Sequence, residues 1–415
     1  MSTDRLAIAL LSYRGNPHSG GQGVYVRYLS KALTDLGHRV EVVAGPPYPD
    51  LHEGVSLTKL PSLDLYRAGD PFRRPHLNEF RGAIDVLEYA LMCTAAFPEP
   101  VTFSLRAARA LRARRGEFDV IHDNQCLGYG LLQIQSWGAP VVATIHHPCS
   151  IDRDLEIAAA PSRAKRMSLR RWYSFTRMQG RVARRLPRLI CVSESARLDV
   201  LRQFRVEPKR TGIVHNGVDA ELFRPLEDVP KVAGRIVTTS SSELPLKGLV
   251  HLVEAVAKLR TERAVELVVV GKRPRRGTVA AALERYGLQD AVRFESGLDW
   301  GHLVQLYSSA EVAVVPSLYE GFSLPAIEAM SCAVPVVATT GGALPEVVGE
   351  DGTAGLLVPP SDAEALSAAI RRLLDDRVLQ VRMGTAGRER VLDRFTWRAA
   401  AGATVAEYRK ALGAC

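Results

Sequence analysis

Val312-Ala313-Val314-Val315-Pro316-Ser317-Leu318-Tyr319-Glu320-Gly321-Phe322-Ser323-Leu324-Pro325-Ala326-Ile327-Glu328-Ala329-Met330 starts as a strand and finishes as a helix. The unbroken apolar run Val312–Val315 is what a strand buried on both faces of a parallel sheet requires. Gly321 turns the chain, Ser323 is placed to cap the helix that follows, and Pro325 suits its first turn. The same alternation extends outward in both directions. Strands are expected at 6–12, 40–44, 120–122, 141–145 and 189–192 in the first half, and at 236–240, 267–270, 292–294, 336–338 and 356–358 in the second. Amphipathic helices such as 24–36, 249–261 and 363–375 lie between them. Strand-helix alternation of this kind predicts doubly wound α/β domains.

At 415 residues the chain exceeds what one hydrophobic core organises, which predicts two Rossmann-like domains, 1–217 and 218–394. A terminal helix, 395–415, is expected to pack back on the first domain. The six cysteines are scattered without metal or redox spacing, and no apolar run is long enough to span a bilayer. With no signal-peptide pattern, a cytoplasmic location is expected. The first 220 residues hold 31 Lys+Arg against 21 Asp+Glu, so the overall charge of +9 lies wholly in the first half. Ten of those cations, from Arg163 to Arg188, fall between Pro161 and Arg188 with no acidic residue among them. Apolar residues interleave, a mixture compatible with a basic amphipathic helix at an anionic leaflet, with steering of a phosphorylated acceptor, or with a solvated helix packed on its own domain. No nucleic-acid-binding module is legible.

The backbone N–H groups of Gly321, Phe322, Ser323 and Leu324 open a helix, where a pyrophosphate is attracted. Glu320 precedes the turn and Glu328 lies about two helical turns further on. Carboxylates on either side of a phosphate cradle can accept hydrogen bonds from hydroxyls of two sugars, a transferred hexose and a nucleotide ribose. Parallel sheets bind ligands outside the carboxyl ends of their strands, so two facing domains would form a cleft.

With Gly-Phe-Ser-Leu-Pro between the two glutamates and Gly341-Gly342-Ala343-Leu344-Pro345-Glu346 downstream, the stretch resembles the E-x7-E signature of family 4 glycosyltransferases. The whole chain looks like their GT-B fold. The resemblance implies a retaining enzyme that moves a hexose from a nucleotide-sugar donor, such as GDP-mannose or UDP-glucose, without a bound metal or other cofactor. A glycan, a lipid-linked or a small-molecule acceptor would receive it. It further implies that Glu320 contacts hexose hydroxyls, Gly321 and Phe322 offer amides, Glu328 holds the ribose diol, and the Gly341-Gly342 loop lines the donor pocket.

Lys247, in Leu246-Lys247-Gly248, matches the lysine of the family's Arg-x5-Lys-Gly element, which grips the donor phosphates. Ser241 stands where the arginine is expected, leaving serine hydroxyls, another cation such as Arg273, or a different leaving-group geometry to compensate. In the first half, Gly20 and Gly21 match a loop that lines the cleft, and a glycine there lets the backbone approach a ligand. A dinucleotide site is the competing reading of such a loop, but the acidic residue it needs after the second strand is absent. His146, in Thr144-Ile145-His146-His147, takes the position of the family's cleft histidine near hexose and acceptor. Ser193 and Glu194 match a further family segment, either as caps or as ligand contacts, and Asn216 and Asp219 match another, where they shape the interdomain turn. Asp152-Arg153-Asp154 has the D-x-D pattern of metal-dependent transferases, although it lies apart from the donor motifs. An epimerase or phosphorylase of the same fold, and a non-catalytic nucleotide-sugar-binding protein, are the rival readings.

Overall fold

The computed structural model describes residues 5–15, 21–240 and 244–413. The chain divides into two compact units, 1–214 with 400–415, and 215–399. The first unit carries strands β1 (Ala7–Ser12), β2 (Arg39–Ala44), β3 (Ser56–Lys59), β4 (Val120–Asn124), β5 (Val141–Ile145), β6 (Arg188–Cys191) and β7 (Thr211–Ile213). They form one sheet in the order β3-β2-β1-β4-β5-β6-β7, with every pair parallel. Helices α1 (Gly21–Asp35), α2 (Ala83–Cys93), α3 (Glu99–Leu111), α4 (Gly130–Gln135), α5 (Cys149–Ala159), α6 (Arg163–Trp172), α7 (Phe175–Ala183) and α8 (Glu194–Phe204) connect or cover them. Ile8, Leu10, Val42, Val120, Val142 and Ile190 are fully buried, which is why these strands read as continuous apolar runs.

The second unit carries β8 (Arg235–Thr239), β9 (Glu266–Val270), β10 (Val292–Glu295), β11 (Val312–Val315), β12 (Val336–Thr339) and β13 (Gly355–Val358). Its sheet order is β10-β9-β8-β11-β12-β13, again parallel throughout. Helices α9 (Leu249–Leu259), α10 (Thr278–Arg285), α11 (Trp300–Ser309), α12 (Leu324–Ser331), α13 (Leu344–Val348), α14 (Ala363–Asp375) and α15 (Arg377–Arg394) flank it. The apolar faces of α9 and α14 close one side over Ile236, Leu267, Val314 and Val337. Helix α16 (Trp397–Leu412) begins in this unit, and from Ala400 it belongs to the first. There Tyr408 Oη lies 2.6 Å from His122 Nδ1, and Glu407 pairs with Arg188.

In each sheet the strand order reverses once, between β1 and β4 in the first unit and between β8 and β11 in the second. Connections leaving two adjacent strands in opposite directions open a crevice at their carboxyl ends. The motif that opened the sequence therefore follows β11 at the switch point of its own sheet.

The structure corrects the reading of two segments. The basic stretch 161–188 is not one helix: α6 ends at Trp172, α7 starts at Phe175, and the two behave differently. α6 is exposed along its length apart from Leu169 and Trp172, whereas α7 buries Met178, Gln179, Gly180, Val182 and Ala183. Strands β3 and β7 have no counterpart in the sequence reading. β3 is a four-residue edge strand with no buried residue, and β7 is three residues long, so neither has the apolar run by which the others are recognised.

Candidate active site

Three loops pack together at the switch point of the second unit. After β8, Gly248 adopts φ +62°, and a Cβ there would lie 2.0 Å from the carbonyl oxygen of Pro316. After β12, Gly342 adopts φ +65°, and its Cβ would lie 2.2 Å from the Glu320 carbonyl oxygen. Only glycine fits either position, since both the backbone conformation and the space exclude a side chain. Ala343 N–H donates to Glu320 O at 2.9 Å, and Leu318 N–H to Leu246 O at 2.7 Å. The Gly341-Gly342 loop thus clamps the backbone of Glu320 from one side, and the Lys247 loop holds Leu318 from the other.

This packing brings two of the expected side chains into direct contact. Lys247 Nζ lies 2.8 Å from Glu320 Oε1, and Ser317 Oγ donates to the same oxygen at 2.7 Å. Glu320 Oε2 accepts from no group among the described residues, so one carboxylate oxygen is committed and the other is open. Ser317 was missed in the sequence, although its place three residues before Glu320 after a strand was a usable signal.

Glu328 is buried at 8% exposure, and burial pushes its carboxyl up to about 7, with a hydrogen bond from Tyr307 Oη at 3.4 Å to Oε2 acting in the opposite direction. Tyr307 Oη also lies 2.9 Å from Thr239 Oγ1 at the end of β8. No sequence pattern pointed to Tyr307, because its place depends on how α11 packs. The helix opened by Leu324 has no intrahelical partner for its first N–H groups. The N–H groups of Phe322, Ser323 and Leu324 donate to no group among the described residues.

Ser323 differs from the expectation. It adopts φ 91° and makes no side-chain capping bond, and its buried Oγ finds no partner among the described residues. A left-handed serine is strained, and such strain is held only where the surroundings over-determine the turn. The Phe322 ring supplies that hold, packed 5.6 Å from Phe395 and 5.9 Å from His215. Phe322 therefore offers its backbone, and its side chain is core. Thr238 and Ser240, at the end of β8, also carry buried hydroxyls without a partner among the described residues. Ser241 lies outside the described residues. Arg273, the alternative cation, lies with its guanidinium 5.9 Å from the Phe294 ring centroid.

In the first unit, His146 follows β5, and its Nε2 lies 2.8 Å from Asn124 Oδ1 at the end of β4. Asn124 in turn donates to Gln22 O at 3.4 Å, which ties both strand ends to the first turn of α1. Burial, and then the neighbouring His147, push the His146 imidazole down to about 3, so the ring is neutral near pH 7. Tyr25 packs edge-on against it at 4.8 Å. Asn124 and Tyr25 were not read as site residues, because an asparagine ending a strand is unremarkable until its neighbours are known. Gly21 is the first residue of α1, and Gly20 lies outside the described residues. Ser193 caps α8 by accepting from Ala196 N at 2.9 Å, and Glu194 pairs with Arg197. Asp152 bonds His147 at 2.6 Å and Asp154 bonds Arg153 at 2.8 Å, so the two carboxylates are committed to different partners. Among the described residues no three His, Cys, Asp or Glu side chains gather where they could hold a metal.

Comparison with known proteins decides the family. A sequence model described as Glycosyltransferase Family 4 matches residues 19–222, and one described as Glycosyl transferases group 1 matches 228–390. An MMP alpha-(1->4)-mannosyltransferase from Mycolicibacterium hassiacum is 52% identical over 408 residues, covering 98% of both chains. The chain belongs to the family 4 glycosyltransferases. Within this family, a D-inositol 3-phosphate glycosyltransferase from Streptomyces bingchenggensis is 28% identical, over 98% of this chain and 89% of its own. Among solved structures, the sucrose-phosphate synthase from Thermosynechococcus elongatus aligns with a TM-score of 0.74 and 26% identity, over 99% of this chain and all of its own. The two parallel-sheet units are those of the GT-B fold, and this family 4 glycosyltransferase is an enzyme of group transfer from sugar donors.

Proposed function

We propose that the protein transfers a mannosyl residue from a nucleotide-diphosphate sugar to a carbohydrate hydroxyl, forms an α-(1→4) bond with retention of configuration, and needs no metal. The sugar and linkage rest on the 52% identical relative, which this chain matches from end to end. The chemistry rests on one observation: the Lys247 ammonium is fixed 2.8 Å from Glu320, beside a helix start where the Phe322, Ser323 and Leu324 N–H groups donate to no group among the described residues. Breaking the bond from the anomeric carbon to the phosphate oxygen leaves positive charge on the sugar and negative charge on the departing diphosphate. Lys247 and the amides of Gly321, Phe322, Ser323 and Leu324 stabilise the departing charge as it grows, the task a metal performs elsewhere. The acceptor hydroxyl bonds to the same face of the anomeric carbon, and its proton passes to the leaving phosphate oxygen.

In this reading Glu320 Oε2 accepts from hexose hydroxyls and Glu328 from the ribose diol, with Gly341 and Gly342 setting the Glu320 backbone. Ser323 and Ser240 supply hydroxyls to the diphosphate region, where Ser241 replaces an arginine. The neutral His146 ring, oriented by Asn124, offers a hydrogen bond on the acceptor side, together with the Gly20-Gly21 loop. A glycan or lipid-linked acceptor fits the basic first half. Among the described residues no helix is long and apolar enough to cross a membrane. A cytoplasmic enzyme touching an anionic leaflet through α6 accords with that helix, whose Met167 is 68% exposed among Arg163, Lys165, Arg166 and Arg170.

The test is transfer from GDP-, UDP- and ADP-hexoses to mannoside acceptors with and without EDTA. Turnover with a mannosyl donor, unchanged by EDTA, is expected. Turnover only with another hexose removes the mannosyl assignment, and inhibition by EDTA that Mn2+ restores removes the metal-free mechanism.

A further inference from the structure

A polar cavity lies in the first unit, lined by no residue given a sugar-donor or acceptor role above. It is a half-open depression of about 250 Å³ among α5, α7 and the end of α8, lined by Ser150, Arg153, Thr176, Arg177, Gly180, Arg181, Arg184, Gln203 and Phe204. Four of these are arginines. Elsewhere in the same unit buried or half-buried arginines are neutralised by carboxylates: Arg73 grips Glu79, Arg106 holds Asp85 and Glu88, and Arg114 holds Glu41 and Glu117. At the cavity Arg177, Arg181 and Arg184 are exposed, so water rather than a carboxylate solvates them. Arg153 alone has a carboxylate, Asp154, at 2.8 Å. Arg181 donates to the Tyr129 hydroxyl at 3.1 Å, Arg184 to the Phe204 carbonyl at 2.7 Å, and the Arg177 side chain to nothing among the described residues. Arg177 and Arg181 are spaced i, i+4 on α7, so two guanidinium groups share one helix face at the mouth of the cavity, with a small mutual repulsion that a bound anion would relieve.

An independent observation points the same way. Ser150, in the first turn of α5, is 4% exposed, and its Oγ has no hydrogen-bond partner among the described residues. A buried hydroxyl without a partner is costly, and it is uncommon unless a bound group completes it. The Thr176 hydroxyl is held by Arg153 at 3.1 Å, which fixes that guanidinium at the rim of the cavity. Gly180 has no side chain to fill the space between α7 and Phe204; a Cβ there would approach the Phe204 ring to 3.3 Å. The volume greatly exceeds the roughly 30 Å³ share of one water, and the planar donors match phosphate oxygens in pairs.

We infer that this cavity binds a phosphate-class oxyanion, with Arg153, Arg177 and Arg181 as its cationic wall and Ser150 Oγ as a neutral donor. Such a group comes either from a soluble phosphate compound or from a phospholipid headgroup, and the two are separable by experiment. Isothermal titration and phosphorus NMR with inorganic phosphate and with pyrophosphate, in chloride buffer, would be run on the wild type, on the Arg177→Gln/Arg181→Gln double variant and on Lys247→Met. Saturable binding that weakens at least tenfold in the arginine variant and survives in Lys247→Met is expected for a soluble source. Co-sedimentation with vesicles of phosphatidylcholine containing phosphatidate, against phosphatidylcholine alone, covers the other source. Arginine-dependent binding confined to the phosphatidate vesicles assigns the site to headgroups. Should the arginine variant fold poorly, phosphate or phosphatidate protection of Arg177 in the wild type against phenylglyoxal, read by mass spectrometry, reports the same occupancy. Binding that is lost in Lys247→Met but kept in the arginine variant overturns the proposal, as does the absence of any arginine-dependent binding or protection in all of these assays.

Discussion

Replacing Glu328 by glutamine is expected to make the protein more stable and much less active at once. The carboxyl is shut in α12 beside Tyr307, and burial raises it from 4.5 to about 7. A raised carboxylate pKa means the folded chain binds this proton more tightly than the unfolded one between those two pH values. Stability from this group is therefore greatest below pH 4.5 and falls as pH rises toward 7. At 1.36 kcal/mol per decade, the ionised fold above pH 7 carries a cost of about 3 kcal/mol. Glutamine removes the charge, and an amide that finds fewer partners gives back part of the gain, so a net stabilisation of about 1–3 kcal/mol is expected at pH 8. For a unit of this size that raises Tm by roughly 2–10 °C. Calorimetry at pH 4.5 and pH 8 should show the two proteins converging at the acid end and separating at the alkaline end. If the carboxylate receives the ribose hydroxyls, kcat/KM for the donor falls about a hundredfold, a loss of about 3 kcal/mol. The wild-type donor KM should fall as pH rises through about 7, and the variant's should not. A variant no more stable than wild type at pH 8, or a difference that does not change with pH, refutes the burial argument. Donor kinetics within about threefold of wild type refute the ribose role.

Lys247→Met should lower kcat by about 10²–10³, the usual loss of a preorganised charge on a leaving group, while unfolding moves by less than about 1 kcal/mol because the pair is partly exposed; a kcat within about threefold of wild type counts against it. Gly342→Ala forces a Cβ to within 2.2 Å of the Glu320 carbonyl, whereas Gly352→Ala meets nothing within 4 Å at a similar positive φ. Both bear a strain of about 1–2 kcal/mol, but only Gly342→Ala should also lose transfer activity, and equal activities would break the link from that loop to Glu320. His146→Phe should reduce kcat by about 10- to 100-fold without changing the shape of the pH-rate profile between pH 5 and 8, since an imidazole pushed down to about 3 does not titrate there. A limb of the profile that disappears in this variant would show the opposite.

The fold was legible wherever a strand is buried on both faces. Every interior strand of the two sheets appears in the sequence as an apolar run, and the strands that escaped, β3 and β7, lie at sheet edges and are short. The glycine motifs were legible for a similar reason: Gly248 and Gly342 occupy positions that no side chain can enter, so the composition there carries the geometry. What sequence could not show is which polar groups meet across elements. The bond from Tyr307 to Glu328 depends on the docking of α11 against α12, and the bond from Asn124 to His146 on the pairing of β4 with β5. Ser323 misled because serine before a Pro-containing first turn is the common capping pattern, while here a buried Phe322 draws the chain into a left-handed turn instead. The basic stretch misled because its charges repeat at helical spacing through Tyr173 and Ser174, where the chain turns between a solvated α6 and a buried α7.

The most direct measurement is the anomeric configuration of the product made from a mannosyl donor and a mannoside acceptor in the presence of EDTA, read from the one-bond carbon-proton coupling at the new anomeric centre. A single α-linked product joined through O4 is expected. A β-linked product, or transfer that begins only when a divalent metal is restored, contradicts a mechanism in which Lys247 and the amides ahead of α12 carry the leaving charge.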